Sequence, residues 1–288
     1  SSACTTRAVE GGHHLALFNR GKTKRPLPDG VNRLEGDIRD PVSARRALGD
    51  KTFDVVVDWV AFTPQHIDMD LALFGEKTDQ YIFISSASAY QKPVWKLPIT
   101  EETPLVNPFW QYSSDKAACE KILMEAHENR GFPVTIVRPS HTYDETLIPC
   151  DWGYTVLDRM FKGKKTIIQG DGTSLWVLTH NTDFAVGFLG LFGKKEAIGE
   201  AYHITSDELL TWDQIYQLLA DELGVKLNTV HIPSDFIARF DPEFGAGLLG
   251  DKAHSVIFDN SKINKTVPEF ECKIPFSKGV KKIIAWYN

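Results

Sequence analysis

The chain has 288 residues, 42% hydrophobic and 24% charged, a globular balance that excludes disordered, collagen-like and low-complexity polypeptides. A formal charge of −6 and a pI near 5.9 argue against a dedicated polyanion binder, which needs a clustered basic surface, so nucleic acid is not an expected partner. The apolar runs, such as Val55-Val56-Val57 and Ile82-Phe83-Ile84, are only strand-length, so no membrane span is expected.

In chain order, residues 15–18 form a short apolar run after a turn at Gly11-Gly12. Asp40-Pro41 reads as an N-cap with proline at the first helical position, opening a helix over residues 42–48. Residues 54–60 (DVVVDWV), 80–85 (QYIFIS) and 133–138 (PVTIVR) are β-branched and aromatic runs, as for strands buried on both faces of a parallel sheet. Between them, residues 114–128 carry Ala117, Ala118, Ile122 and Leu123 at helical spacing. This alternation predicts a doubly wound α/β fold with a parallel sheet.

The second half is more mixed. Gly170-Asp171-Gly172 is a turn, and residues 211–214 (TWDQ) resemble a capping box opening a helix that ends near Gly224. Residues 276–287 read as a terminal amphipathic helix. Residues 1–150 are the expected main domain and residues 151–288 a smaller mixed lobe packed on it, with residues 176–205 returning to the sheet. Cys4, Cys119, Cys150 and Cys272 lack metal or redox spacing and read as buried thiols of a cytoplasmic protein. His13-His14 has no partner at ligand spacing, so no metal is expected.

Tyr112 and Lys116 are four apart and share one helix face. A phenol is a poor base at neutral pH, and a neighbouring ammonium together with a positive cofactor ring would favour the phenolate. Such a pair is a proton-transfer device. Ser86 follows the strand that ends at Ile84, the end of a doubly wound sheet where ligands sit, so its hydroxyl can hold a substrate oxygen.

Three motifs in this order, Ser85-Ser86-Ala87-Ser88-Ala89-Tyr90, Tyr112-xxx-Lys116 and Val137-Arg138-Pro139, resemble the extended short-chain dehydrogenase/reductase family, and within it the NAD-dependent epimerase/dehydratase branch. Gly170-Asp171-Gly172 with Thr179-His180-Asn181-Thr182-Asp183 resembles a later segment of the same family, so the likeness runs through essentially the whole chain. The resemblance implies a Rossmann-type nucleotide-binding domain at 1–150 and a substrate lobe at 151–288. It implies Ser86 as the catalytic hydroxyl, Tyr112 as acid/base, and Lys116 as the residue that lowers the tyrosine pKa and holds the nicotinamide ribose. Ser85 is then structural.

The family cofactor is NAD or NADP. Asp37 and Ile38 in Gly36-Asp37-Ile38-Arg39-Asp40 resemble the adenine-contacting turn, Val60-Ala61-Phe62 the strand end near the pyrophosphate, and Pro139 a further cofactor contact. Asn19 and Arg20 follow the strand whose end reads the ribose; Arg20, with Lys22, Lys24 and Arg25, leans toward the 2′-phosphate of NADP. Ser88, His141, Tyr143 and Trp176 are candidate substrate contacts, Trp176 either stacking on a ring or filling the core between the lobes. The family's arginine after the GDG turn is replaced by Ser174-Leu175-Trp176-Val177-Leu178, which puts a nucleotide-sugar substrate in doubt.

The family also opens with a strand and a GxxGxxG loop, and residues 1–12 look like the helix that follows that loop. Removing a central strand would leave its neighbours roughly 9–10 Å apart, so the expectation is that about a dozen residues precede Ser1. Epimerase, dehydratase and reductase chemistry all remain open. The competing expectation is a non-catalytic NAD(P)- or RNA-binding regulator, as among chloroplast stem-loop-binding members. A homodimer is expected by analogy, through a four-helix interface that includes the Tyr-xxx-Lys helix.

Overall fold

The computed structural model describes residues 2–22 and 26–287; Lys24 and Arg25 lie outside the described residues. The first half runs α1 (Ser2–Glu10), β1 (Ala16–Asn19), β2 (Asn32–Glu35), α2 (Pro41–Leu48), β3 (Phe53–Asp58), α3 (Pro64–Phe74), β4 (Thr78–Ile84), α4 (Gln111–Arg130) and β5 (Val134–Pro139). Gly12 turns the chain out of α1 with φ 81°, which only glycine adopts readily. Asp40 caps α2 by accepting from the Val42 N–H at 3.0 Å, with Pro41 in the first turn. α4 extends three residues upstream of the expected start, so Tyr112 stands in its first turn.

The main sheet is parallel, in the order Glu200–Ile204, β5, β4, β3. Alternate β4 residues serve opposite faces, which is why the run is apolar throughout. Tyr81 and Phe83 pack with Ala44, Ile67 and Leu123 under α2, α3 and α4. Ile82 and Ile84 pack with Cys4, Phe184 and Phe188, from α1 and the helix Asn181–Gly190. That helix feeds the strand Glu200–Ile204 back into the sheet beside β5.

β1 and β2 form a separate parallel pair. Between β1 and β3 lies an apolar cavity of about 240 Å³, lined by Leu15, Leu17, Val55, Val57, Cys4 and Phe188 among others. The break falls at the position where the resemblance expects a central strand. Ile38, expected at the adenine-contacting turn, also lines this cavity.

A second core lies beyond the sheet, built on Leu157, Ile168, Trp212, Ile215, Phe276 and Ile283. Its helix Trp212–Glu222 starts with the expected capping box, Thr211 and Gln214 each closing on the other's backbone. The helix Phe276–Tyr287 covers it. Tyr143, expected in the substrate cleft, is 1% exposed and packs edge-on against Phe276 at 5.2 Å. It fits because residue 279 is glycine: a Cβ there would stand 2.0 Å from the Tyr143 hydroxyl. Tyr143 is therefore a core residue. Cys4, Cys119 and Cys150 are buried and Cys272 partly so, all as free thiols. Among the described residues no helix is long and apolar enough to cross a membrane.

Candidate active site

The N-terminal turn of α4 and the C-terminal ends of β3 and β4 meet around Lys116. The lysine is 1% exposed, and its ammonium donates to the Ala61 and Ile84 carbonyls, both at 2.7 Å. It also lies 4.9 Å from the Phe62 ring and 4.7 Å from the Phe83 ring. Burial pulls its pKa down to about 8.

Tyr112 stands in the first turn of α4, close to this lysine. Burial raises its phenol pKa, a hydrogen bond with Ser86 opposes the rise, and the negative charge of Asp251 adds to it. The Lys116 nitrogen is 5.8 Å from the tyrosine ring centre and bonded to backbone carbonyls. Burial and the Asp251 charge thus disfavour the phenolate here.

Ser86 is not isolated. Its hydroxyl bonds that of Ser88 at 2.8 Å, and Ser113 donates to Ser88 at 2.7 Å. Asn107 anchors this segment by donating to the carbonyls of Ser88 and Gly250. Below it, Tyr90 and Arg138 form a buried girder: Arg138 grips Glu120 with Nε and Nη2, at 3.0 and 2.6 Å, and donates to Tyr90, whose hydroxyl meets His203.

Ser86, Ser88, Tyr112, Pro139, His141 and Trp176 line one cavity of about 240 Å³. The geometry thus brings together all the expected catalytic and substrate residues except Tyr143, with Lys116 behind the tyrosine. Trp176 is 2% exposed and packs against Trp212 at 5.3 Å, while also lining the cavity. Its indole N–H donates to His141 Nδ1 at 3.1 Å, which leaves the histidine proton on Nε2. Burial and the Lys252 charge push the His141 pKa down to about 3, so the ring is neutral.

Trp110, Asp151, Asp251 and Lys252 complete the wall, and no sequence motif announced them. Asp251 and Lys252 end a π-helical turn at Leu248–Lys252, a distortion that recurs at functional sites. Lys252 pairs with Asp151 at 3.4 Å, and Asp251 with the buried Lys92 at 3.5 Å.

The cofactor candidates divide. Two groups at this end of the sheet could hold a cofactor: Lys116 has an ammonium hydrogen beyond the two it donates, and the buried Ser85 hydroxyl lacks a hydrogen-bond partner among the described residues. The strand end expected near the pyrophosphate offers no free amide. Val60 and Ala61 N–H groups go to the Asp58 carboxylate, and Phe62 N–H to His66. What it presents instead is the exposed Val60 and Phe62 side chains. Asn19 accepts from the Gly21 N–H at the end of β1, with Arg20 exposed beside it. Asp37 accepts from the Arg39 N–H at 3.0 Å, an Asx turn.

Residues 2–205 match the NAD dependent epimerase/dehydratase family. The chain is 24% identical over 269 residues to 2'-dehydrokanamycin reductase of Streptomyces kanamyceticus, covering 90% of this chain and 73% of that protein. It is 27% identical over 255 residues to the chloroplast stem-loop binding protein of 41 kDa b of Arabidopsis thaliana, covering 83% of this chain and 63% of that protein. The fold matches dTDP-glucose 4,6-dehydratase of Bacillus anthracis, solved with NAD, at a TM-score of 0.80 and 18% identity, over 99% of this chain and 92% of that one.

Proposed function

The chain belongs to the NAD dependent epimerase/dehydratase family, and from that premise we propose that it is a nicotinamide-dependent oxidoreductase or epimerase acting at a hydroxyl or carbonyl carbon of a small ring. The observation that carries this reading is the convergence of Ser86 and Tyr112 on one cavity, with Lys116 buried directly behind. Bound beside Tyr112, the nicotinamide would supply or accept the hydride. Tyr112, held as a phenol, would give its proton to a substrate oxyanion or take one from a hydroxyl. Ser86, fixed by Ser88 and Ser113, would hydrogen-bond the same oxygen. Lys116 would hold the cofactor ribose and stabilise the phenolate when it forms.

The relative named a 2'-dehydrokanamycin reductase supports the reductive direction, and Arg20 supports NADPH over NADH. The test is Tyr112→Phe, assayed by oxidation of NADPH or NADH against a panel of keto sugars. Turnover falls on the order of 10²–10⁴-fold while cofactor still binds. Unchanged turnover in the variant overturns the mechanism.

The stem-loop-binding relative favours a second reading, an RNA-binding regulator. The formal charge of −6 weighs against it. RNA binding whose affinity falls steeply with salt, together with no cofactor-dependent turnover, would make that reading the better one.

A further inference from the structure

Resting on that reading, we infer that Asp58 is a positioning residue for Lys116: its carboxylate holds the loop after β3 so that the Ala61 carbonyl meets the lysine, and its negative charge keeps that buried lysine an ammonium. Asp58 ends β3 and is buried. Its Oδ1 accepts from the N–H groups of Val60 and Ala61, the latter at 2.9 Å. With its N–H fixed there, Ala61 presents its carbonyl to Lys116 Nζ at 2.7 Å. Asp58 thus sets the acceptor that anchors Lys116 after β3, as Ile84 does at the end of β4. The charge matters because an ammonium has three hydrogens. Two go to the Ala61 and Ile84 carbonyls and one is left for a cofactor ribose; a neutral amine would have spent both of its own.

Asp58 carries its charge because Asp70 does not. Asp70, on α3 and fully buried, meets the Tyr81 hydroxyl at 2.8 Å, and Asp58 meets the same hydroxyl at 3.4 Å. Two carboxyls this close do not both ionise. The two backbone amides place the anion on Asp58, while burial, the hydrogen bond with Asp58 and the Asp58 charge push the Asp70 pKa well up. Arg39 lies 3.8 Å from Asp58 and 3.6 Å from Asp70, a loose pair whose Nη atoms make no hydrogen bond among the described residues. His66 accepts the Phe62 N–H, and burial and Arg39 lower its pKa. Burial likewise lowers the Lys116 pKa; Cys119, Asp58 and Glu120 oppose the fall, and Arg39 adds to it. Cys119 is a thiol pushed by burial up to about 12, neutral where Lys116 titrates. Glu120 is gripped by Arg138 at 2.6 Å. Asp58 is the anion that remains for the ammonium.

The test is the Lys116 titration itself, followed by NMR of ¹³C-labelled lysine without cofactor or turnover, the resonance identified by its loss in Lys116→Met. The proteins compared are the wild type, Asp70→Asn, Asp58→Asn and Asp58→Asn/Asp70→Asn. An asparagine at 58 can still accept both amides, so the comparison removes the charge and keeps the loop. Asp70→Asn, which mimics the protonated acid, should leave the Lys116 pKa at its wild-type value. The double variant should lower it by about 0.5–1 unit. Asp58→Asn alone, whose lost charge Asp70 can take up, should lower it by less. A Lys116 pKa unchanged in both Asp58 variants, or lowered as far by Asp70→Asn as by Asp58→Asn, overturns the inference. Loss of the functional reading shows separately: undiminished turnover in Tyr112→Phe would refute the mechanism while leaving the lysine titration standing.

Discussion

Lys116, proposed to hold the cofactor ribose, is also a liability to the fold, and pH exposes that liability. Its pKa falls from 10.5 to about 8 on burial. Between those values the unfolded chain keeps a proton that the folded chain has released, so stability rises as pH rises through this window. At 1.36 kcal/mol per pKa unit, the gain from below pH 8 to above pH 10.5 is about 3 kcal/mol. Lys116→Met keeps a linear apolar side chain of similar length and removes the titration. The absolute effect at pH 7 mixes relief of a buried charge with loss of two hydrogen bonds to Ala61 and Ile84. The pH dependence of the difference is free of that mixture. Urea unfolding of both proteins across pH 7 to 10.5 should show the wild type gaining about 3 kcal/mol relative to Lys116→Met. A difference that stays constant across the window would refute the claim that this lysine is held at the cost of folding stability.

Removing Arg138 leaves Glu120, 2% exposed, as a lone buried carboxylate. Arg138→Met should therefore lose about 3–5 kcal/mol in urea unfolding, with much of it recovered in Glu120→Gln/Arg138→Met. Gly279→Ala forces a methyl group into the Tyr143 ring and should destabilise by about 1–3 kcal/mol, read the same way. Thr211→Ala opens the capping box of the helix Trp212–Glu222 and should cost about 1 kcal/mol.

The fold was legible because its signals are local. The apolar runs became β3, β4 and β5, and Asp40 and Thr211 cap the helices they were expected to cap. The site was legible where motif residues sit on those elements: Ser86 just after β4, Tyr112 and Lys116 on one face of α4. It was misread where a contact from far along the chain decides. Tyr143 lies close after Pro139, but Gly279 opens the space that buries it. By contrast, the amides of Val60 and Ala61 stand at the expected strand end and are held by a local partner, the Asp58 carboxylate. Asp251 and Lys252 reach the cavity from a π-helical turn more than a hundred residues beyond Tyr112, and no spacing rule marks such residues. The tyrosine pKa is raised by burial and by the Asp251 charge and lowered by the Ser86 hydrogen bond, none of which spacing specifies.

The central claim is that Lys116 and Tyr112 form the nicotinamide end of a cofactor site. Its most direct test is a fluorescence titration of NADPH and NADH into the wild-type chain and Lys116→Met, with bound nucleotide first removed. Saturable binding to the wild type, at least tenfold weaker in Lys116→Met, is the predicted result. Equal binding by the two proteins, or none by the wild type, would contradict it.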